Sequence, residues 1–246
     1  MNASNGTELA PELSIVIPVY NEASIVEGSL RELDARLRKL GRRFEILVVE
    51  NGSKDDTATI VRMVSEELPT VRLLQTGQPN YGLALRTGIK AARAEYIHTD
   101  EIDICDVDFH RRATELLHGE DGGFDMVVGS KTMHGAMDSR PFGRRAATKV
   151  INGMLRVSLG FKGTDTHGLK AFRRSTVLPI VDQCVVDKDM FASELVIRTE
   201  RAGLRKVEIP LKIEEKRAPS IQLGKRVPRV MKNLGQLVYV IRFKGQ

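Results

Sequence analysis

A repeated pair of segments constrains the fold of this 246-residue chain more than any other feature: a short apolar run followed by an amphipathic segment of helical period. Apolar runs at 13–19, 44–49 and 71–75 are each followed by such a segment, and a fourth run lies at 95–99. Such runs predict strands buried on both faces, and strands that alternate with helices favour right-handed crossovers. The sequence therefore predicts an α/β fold, with a doubly wound, mostly parallel sheet and helices on both faces.

The rest of the chain continues this pattern less regularly. The sequence predicts a strand at 126–129, a basic helix at 144–159, a glycine-rich turn at 160–168, a helix near 191–202 and a strand at 207–213 that ends the folded part. We expect a flexible N-terminus at 1–12, one domain at 13–223 and a basic amphipathic helix at 224–246.

Composition limits the cellular setting and the class of partner. The chain has 41% apolar residues, and no apolar run approaches the roughly 20 residues that span a bilayer. The N-terminus lacks a signal pattern and the two cysteines form no disulfide framework, so we expect a cytoplasmic protein. The net charge of +6 favours an anionic lipid or a phosphorylated substrate. Nucleic acid is disfavoured because the basic residues are dispersed and lack interleaved aromatic residues.

Polar residues follow the first three predicted strands, at the sheet edge where such folds bind ligands. They are Pro18-Val-Tyr-Asn-Glu22, Glu50-Asn-Gly-Ser-Lys-Asp-Asp-Thr57 and Asn80-Tyr-Gly-Leu-Ala84. The first two segments have a structural alternative as turns or caps, with Asn21 as the capping residue in one and Ser53 or Asp55 in the other. No Gly-x-Gly-x-x-Gly or Walker A loop is present, which disfavours a dinucleotide or P-loop site.

An acidic cluster follows the fourth predicted strand, with five carboxylates between Asp100 and Asp108. Carboxylate oxygens at this density favour binding of Mg²⁺ or Mn²⁺, which would in turn hold a diphosphate. The alternative is a solvated acidic loop that caps the next helix. A second register, with Asp106 and Asp108 as the ligands, also stays open.

The four segments in this order resemble the family-two glycosyltransferases, which have the Rossmann-like GT-A fold. That family's pattern is Pro-x-Tyr-Asn-Glu, then Val-Val-Asp-Asp/Asn-Gly-Ser-x-Asp-x-Thr, then Asn-x-Gly, then Asp-x-Asp. Three later segments resemble the polyprenol-phosphate (dolichol-phosphate) mannosyltransferases: Val127-Val-Gly-Ser-Lys131, Thr164-Asp-Thr-His-Gly-Leu-Lys-Ala-Phe-Arg-Arg174, and Glu208-Ile-Pro with Arg217 and Ser220 beyond it. The resemblance implies that residues 13–223 are a catalytic domain.

The resemblance also implies a role for individual residues in inverting transfer of a sugar from a GDP- or UDP-linked donor to a polyprenyl phosphate. Glu101 and Asp103 would be the catalytic pair that holds Mg²⁺ or Mn²⁺ against the donor diphosphate. The nucleoside contacts would be Pro18, Tyr20, Glu22, Glu50, Asn51 and Asn80, and the acceptor contacts would be Lys131, Arg145, Arg217 and Ser220.

The chain departs from the family pattern at several positions and leaves other functions open. Glu101 replaces the first Asp of Asp-x-Asp, Lys131 replaces Arg and His167 replaces Ser. One alternative is transfer to a saccharide hydroxyl, which would need a general base such as Asp189 or Glu194. Another is a non-catalytic protein that binds a nucleotide sugar through a degenerate metal site.

The C-terminal segment at 224–246 has six Lys or Arg residues and no acidic residue. Its apolar residues, including Val230, Leu234, Leu237 and Ile241, recur at helical spacing. One interpretation is a helix that attaches the protein peripherally to the cytoplasmic face of a membrane. The other is a helix whose apolar stripe packs on the domain or on a second subunit.

Overall fold

The computed structural model describes residues 10–119, 123–139, 141–213 and 223–243. Within these ranges the strands are β1 (Leu13–Val19), β2 (Phe44–Glu50), β3 (Val71–Gln75), β4 (Tyr96–Thr99), β5 (Met126–Ser130), β6 (Met137–Asp138), β7 (Lys170–Arg173), β8 (Lys206–Pro210) and β9 (Lys212–Ile213). The helices are α1 (Val26–Arg38), α2 (Thr57–Glu67), α3 (Tyr81–Ala91), α4 (Val107–His118), α5 (Phe142–Leu159), α6 (Arg174–Gln183), α7 (Phe191–Arg201) and α8 (Leu223–Phe243), with a 3₁₀ turn at Lys188–Met190.

Seven strands form one mixed sheet in the order β3-β2-β1-β4-β7-β5-β8, and β6 pairs with β9 in a separate two-stranded ribbon. All neighbouring pairs in the large sheet are parallel except those of β7, which runs against β4 and β5. The predicted mostly parallel α/β fold is therefore confirmed. The sequence analysis did not predict β7, because its four residues lack the long apolar run of the other strands.

The sheet is buried on both faces, which explains the continuous apolar runs of its central strands. On β1, Val16 contributes to the core beneath α3 and α5–α8, whereas Ile15 and Ile17 contribute to the core beneath α1 and α2. A third cluster packs α4 against β5 and β7 on the same side as α1 and α2. Alternating side chains point to opposite faces of a strand, so both faces need apolar residues.

The C-terminal helix α8 belongs to this core, and the expectation that the folded part ends at 213 is wrong. Leu234, Leu237 and Ile241 are buried in the same cluster as residues of α3, α5 and α7. Arg242 Nε also donates to Ser158 O at the end of α5, at 2.8 Å. The apolar stripe therefore packs on the domain, where it is removed from water. Among the described helices, none combines the length and apolarity required to cross a membrane.

Candidate active site

The loops after β1 and β2 are joined by hydrogen bonds at the carboxyl edge of the sheet. Asn21 N donates to Ser53 Oγ at 3.0 Å, and Asn21 Oδ1 accepts from Lys54 N at 2.8 Å. Glu22 N donates to Thr57 Oγ1 at 2.8 Å. Asn21 has a left-handed φ of 54°, which asparagine tolerates better than most residues. Asn21 therefore joins the two loops and does not cap α1, which begins at Val26.

The predicted nucleoside contacts lie along this edge, and several are also structural. Glu50 accepts from Ser53 N and from Gln75 Nε2, which ties the end of β2 to the end of β3. Asn51 Nδ2 donates to Val19 O at 3.0 Å. The pairing of β1 with β4 ends at Val16, whose carbonyl accepts from Asp100 N. Pro18 lies beyond this point, so its missing N–H removes no bond to β4.

Two further predicted contacts complete the donor side. Tyr20 is half-buried directly after β1. Asn80 caps α3, where its Oδ1 accepts from Leu83 N at 3.1 Å, and the same oxygen accepts from Lys188 N at 2.9 Å. The side-chain carbonyl of Asn80 is thus engaged within the protein, and its two hydrogen bonds join the start of α3 to the 3₁₀ turn.

The carboxylates of the acidic cluster after β4 lie in two places, at the start of α4 and in the turn at the sheet edge. Asp106 caps α4 by accepting from Phe109 N at 2.9 Å. Asp108 is exposed and forms ion pairs with arginines of α4. The alternative register with Asp106 and Asp108 as metal ligands is therefore wrong. Glu101 and Asp103 are both half-buried in the turn directly after the strand.

The electrostatics of this turn suit a divalent cation. Burial raises the pKa of Glu101, and the negative charges of Asp103 and Asp100 raise it further, although Lys131 opposes both. No group of three or more His, Cys, Asp or Glu residues in the described part of the chain is arranged to hold a metal. Mg²⁺ commonly takes one or two carboxylates and completes its shell with phosphate oxygens and waters. Glu101 and Asp103 therefore fit a metal that arrives with a diphosphate.

A buried charged cluster faces this turn from β5 and from the loop before β7. Asp165 Oδ2 accepts from Lys131 N at 3.2 Å, and Asp165 Oδ1 accepts from His167 N at 2.8 Å. Lys131 Nζ donates to His167 O at 3.1 Å. The loop approaches β5 closely, since a Cβ on Gly168 would lie 1.6 Å from Gly129 O. Only glycine permits this approach, which brings residues 165–170 to the end of β5.

The charges in this cluster shift one another's pKa. Burial opposes ionisation of Asp165, but Lys131 and the backbone donors keep its pKa below the usual value. Burial lowers the pKa of Lys170 to about 8, against the attraction of Asp165. Burial also lowers the pKa of His167 to about 4. We call Lys131, Asp165, His167 and Lys170 the basic cluster.

The sequence analysis assigned Lys131 to a site but missed the roles of Asp165 and Lys170. Both lie in the segment 164–174 that carried part of the family resemblance, and the glycine between them was a signal of close backbone approach. Arg145 is exposed in the first turn of α5. Arg217 and Ser220 lie outside the described residues.

The two proposed general bases differ in their availability. Glu194 is fully buried, with Oε1 accepting from Arg198 Nε at 2.8 Å and Oε2 accepting from Val185 N and Val186 N. These contacts make Glu194 a structural clamp, so the interpretation of this residue as a general base is wrong. Asp189 is half-buried in the 3₁₀ turn, and its carbonyl contacts His167 Nε2 at 3.2 Å.

Comparisons with known proteins agree with this fold and identify a family. The family model "Glycosyl transferase family 2" matches residues 14–178. Glycosyltransferase AglD of Haloferax volcanii is 28% identical over 88% of this chain, and an undecaprenyl-phosphate 4-deoxy-4-formamido-L-arabinose transferase of Pseudomonas savastanoi is 31% identical over 67%. The chain spans 35% and 48% of the lengths of these two relatives.

The fold is similar to that of a solved enzyme. Glucosyl-3-phosphoglycerate synthase from Mycobacterium tuberculosis, in a crystal structure with Mn²⁺ and UDP, aligns with a TM-score of 0.67 at 19% identity. The alignment covers 93% of this chain and 80% of that one. The sheet order and the family match define a GT-A glycosyltransferase domain. The chain belongs to glycosyl transferase family 2.

Proposed function

We propose that this chain transfers a sugar, with inversion, from a GDP- or UDP-linked donor to a polyprenyl phosphate. The observation that carries the proposal is the juxtaposition of Glu101 and Asp103 with the basic cluster. One group suits a metal-bound diphosphate, and the other suits a second phosphate. Relatives named as undecaprenyl-phosphate sugar transferases support this acceptor class.

On the donor side, the loops after β1, β2 and β3 would bind the nucleoside, with Glu50 and Tyr20 at its centre. Glu101 and Asp103 would hold Mg²⁺ or Mn²⁺, which neutralises charge on the diphosphate as it leaves. The structural neighbours that contain Mn²⁺ or Mg²⁺ together with UDP support this choice of metal.

On the acceptor side, the nucleophile would be a phosphate oxygen that is already anionic, so the reaction needs no strong general base. Lys131 and Lys170 would orient this phosphate, with Arg145 and Arg217 as further contacts. The saccharide alternative loses one of its two bases, because the carboxylate of Glu194 is fully engaged. It retains Asp189, so an acceptor assay has to include a sugar hydroxyl.

The acceptor's lipid tail requires contact with a membrane, and we propose that α8 makes it at the cytoplasmic face. The apolar stripe of α8 packs on the domain and cannot contact lipid. The outer face of α8 is exposed and can do so. Tyr239 and Phe243 stack on each other with 55% and 76% of their surfaces exposed. Lys232 and Arg242 are exposed on the same helix, and α8 contains no acidic residue. An exposed aromatic and basic face is typical of peripheral attachment to anionic lipid.

Calorimetry with Mn²⁺ and a panel of GDP- and UDP-sugars tests the donor, and each ligand that binds is then assayed for transfer. The acceptors are a polyprenyl phosphate, the matching dephosphorylated polyprenol and a simple saccharide. We expect product only with the phosphate. Transfer to the saccharide alone would replace the proposed acceptor, and tight donor binding without any product would favour the non-catalytic alternative.

A further inference from the structure

A buried chain of three polar side chains lies beneath the turn that carries Glu101 and Asp103. Asp100 Oδ2 and His110 Nε2 are 2.7 Å apart, and His110 Nδ1 and His98 Nδ1 are 3.0 Å apart. His98 lies in β4, His110 lies in α4, and all three side chains are at most 1% exposed. None of these residues has a role in the proposed reaction.

Burial of polar groups costs free energy because they lose their hydration, and the contacts within this chain offset part of that cost. Burial lowers the pKa of His98 well below its usual value, so this ring is neutral. His110 Nε2 faces Asp100 Oδ2, and His98 Nδ1 occupies the other ring nitrogen of His110. The orientation of the His110 ring is therefore fixed from both sides.

The other oxygen of Asp100 acts on the turn itself. Asp100 Oδ1 accepts from Glu101 N at 2.7 Å. The carbonyl of Glu101 accepts from Ile104 N at 2.9 Å and from Cys105 N at 3.1 Å. The peptide groups on both sides of Glu101 are thus held, which leaves its side chain to meet a ligand.

We propose that Asp100 and His110 are positioning residues, which connect α4 to the turn 100–105 and set the geometry of Glu101 and Asp103 toward the metal and diphosphate. The identity of the ligand rests on the proposed function, whereas the contacts that hold the turn do not depend on it. Groups that orient metal ligands commonly change metal affinity by about 10–100-fold when they are replaced. His98 supports His110 from the strand.

The test measures two properties in four variants. The first is the Mn²⁺ dissociation constant in the presence of GDP or UDP, and the second is amide hydrogen exchange of residues 101–105 without metal. His110→Leu removes the donor to Asp100, and His110→Asn keeps a donor on a shorter side chain. The double variant Asp100→Leu with His110→Leu removes both partners, which avoids an unpaired buried charge and favours folding. Leu117→Ala is the control, since it truncates a buried apolar side chain two turns further along the same helix.

We expect His110→Leu and the double variant to bind Mn²⁺ about 10–100-fold more weakly and to exchange the Glu101 amide faster. His110→Asn should recover part of both properties, and Leu117→Ala should change the melting temperature alone. Folded His110→Leu and double variants with wild-type Mn²⁺ affinity and wild-type exchange would overturn the inference. If the wild-type protein binds no Mn²⁺, the proposed metal site fails, and the exchange measurement still decides whether Asp100 and His110 hold the turn.

Discussion

The two sides of the candidate site are stabilised by different interactions. On the donor side, the exposed carboxylate of Asp55 accepts from two neutral backbone N–H groups, those of Ala23 and Thr57. On the acceptor side, Lys131, Asp165 and Lys170 are charged and no more than 9% exposed. Neutral bonds near water contribute about 1 kcal/mol each, whereas a buried charge without its partner is far more costly. Asp55 on the donor side should therefore tolerate substitution better than the buried charges of the acceptor side.

Asp165→Asn should have the largest effect, because it leaves the buried cations of Lys131 and Lys170 without their carboxylate. We expect a loss of about 3–5 kcal/mol in the free energy of unfolding, measured by urea denaturation. The matched substitution on the donor side is Asp55→Asn, which should cost about 1 kcal/mol. Equal losses in the two variants would contradict the proposed difference between the two sides.

Asp103→Ala tests the function of the donor side. We expect this substitution to change the free energy of unfolding little. Loss of one group that stabilises leaving-group charge should lower kcat by about 100–1,000-fold. Asp108→Ala is the control, since Asp108 is an exposed carboxylate five residues further along the chain with arginine partners. It should retain wild-type activity. Full turnover by Asp103→Ala in the presence of EDTA would refute the metal assignment.

Lys170→Arg tests whether the titratable charge on the acceptor side binds the acceptor. The pKa of Lys170 is lowered to about 8, so its cation is present below pH 8 and is lost as the pH rises through that value. Acceptor affinity of the wild-type protein should fall by up to about tenfold per pH unit above pH 8, because one proton is linked to binding. Arginine stays charged throughout this range, so the variant should lose that dependence between pH 8 and pH 9.5. A parallel decline in both proteins would assign the pH effect to another group.

The same contrast explains how much of the molecule could be predicted from its sequence. Strands β1 to β4 and the residues at their ends follow local patterns, and their positions were predicted to within a few residues. Asp165 and Lys170 were missed because a buried charge has no local signature and depends on the close contact of Gly168 with Gly129. The contact between His98 and His110 was also missed, because these residues are distant along the chain and meet only when α4 packs on β4.

For the C-terminal helix, the sequence pattern predicts the helix but not its packing partner. Periodicity predicted an apolar stripe on α8 correctly but could not determine what covers it. Leu234 and Leu237 pack on the core, so the membrane interpretation now depends on Tyr239 and Phe243 on the outer face. Deletion of residues after 223 would expose the core and would not be a clean test of attachment.

Point substitutions on the outer face of α8 give the smallest expected effect and the sharpest test of attachment. Phe243→Ser should weaken co-sedimentation with anionic liposomes by about fivefold, since partial burial of an aromatic ring in the interface contributes roughly 1 kcal/mol. Binding should also decline as salt screens Lys232 and Arg242, and neutral liposomes should bind poorly. The control is Met63→Ser on α2, which removes an apolar side chain that is 56% exposed on the opposite face of the sheet. Equal sedimentation of Phe243→Ser, Met63→Ser and the wild-type protein would show that α8 serves only to complete the core.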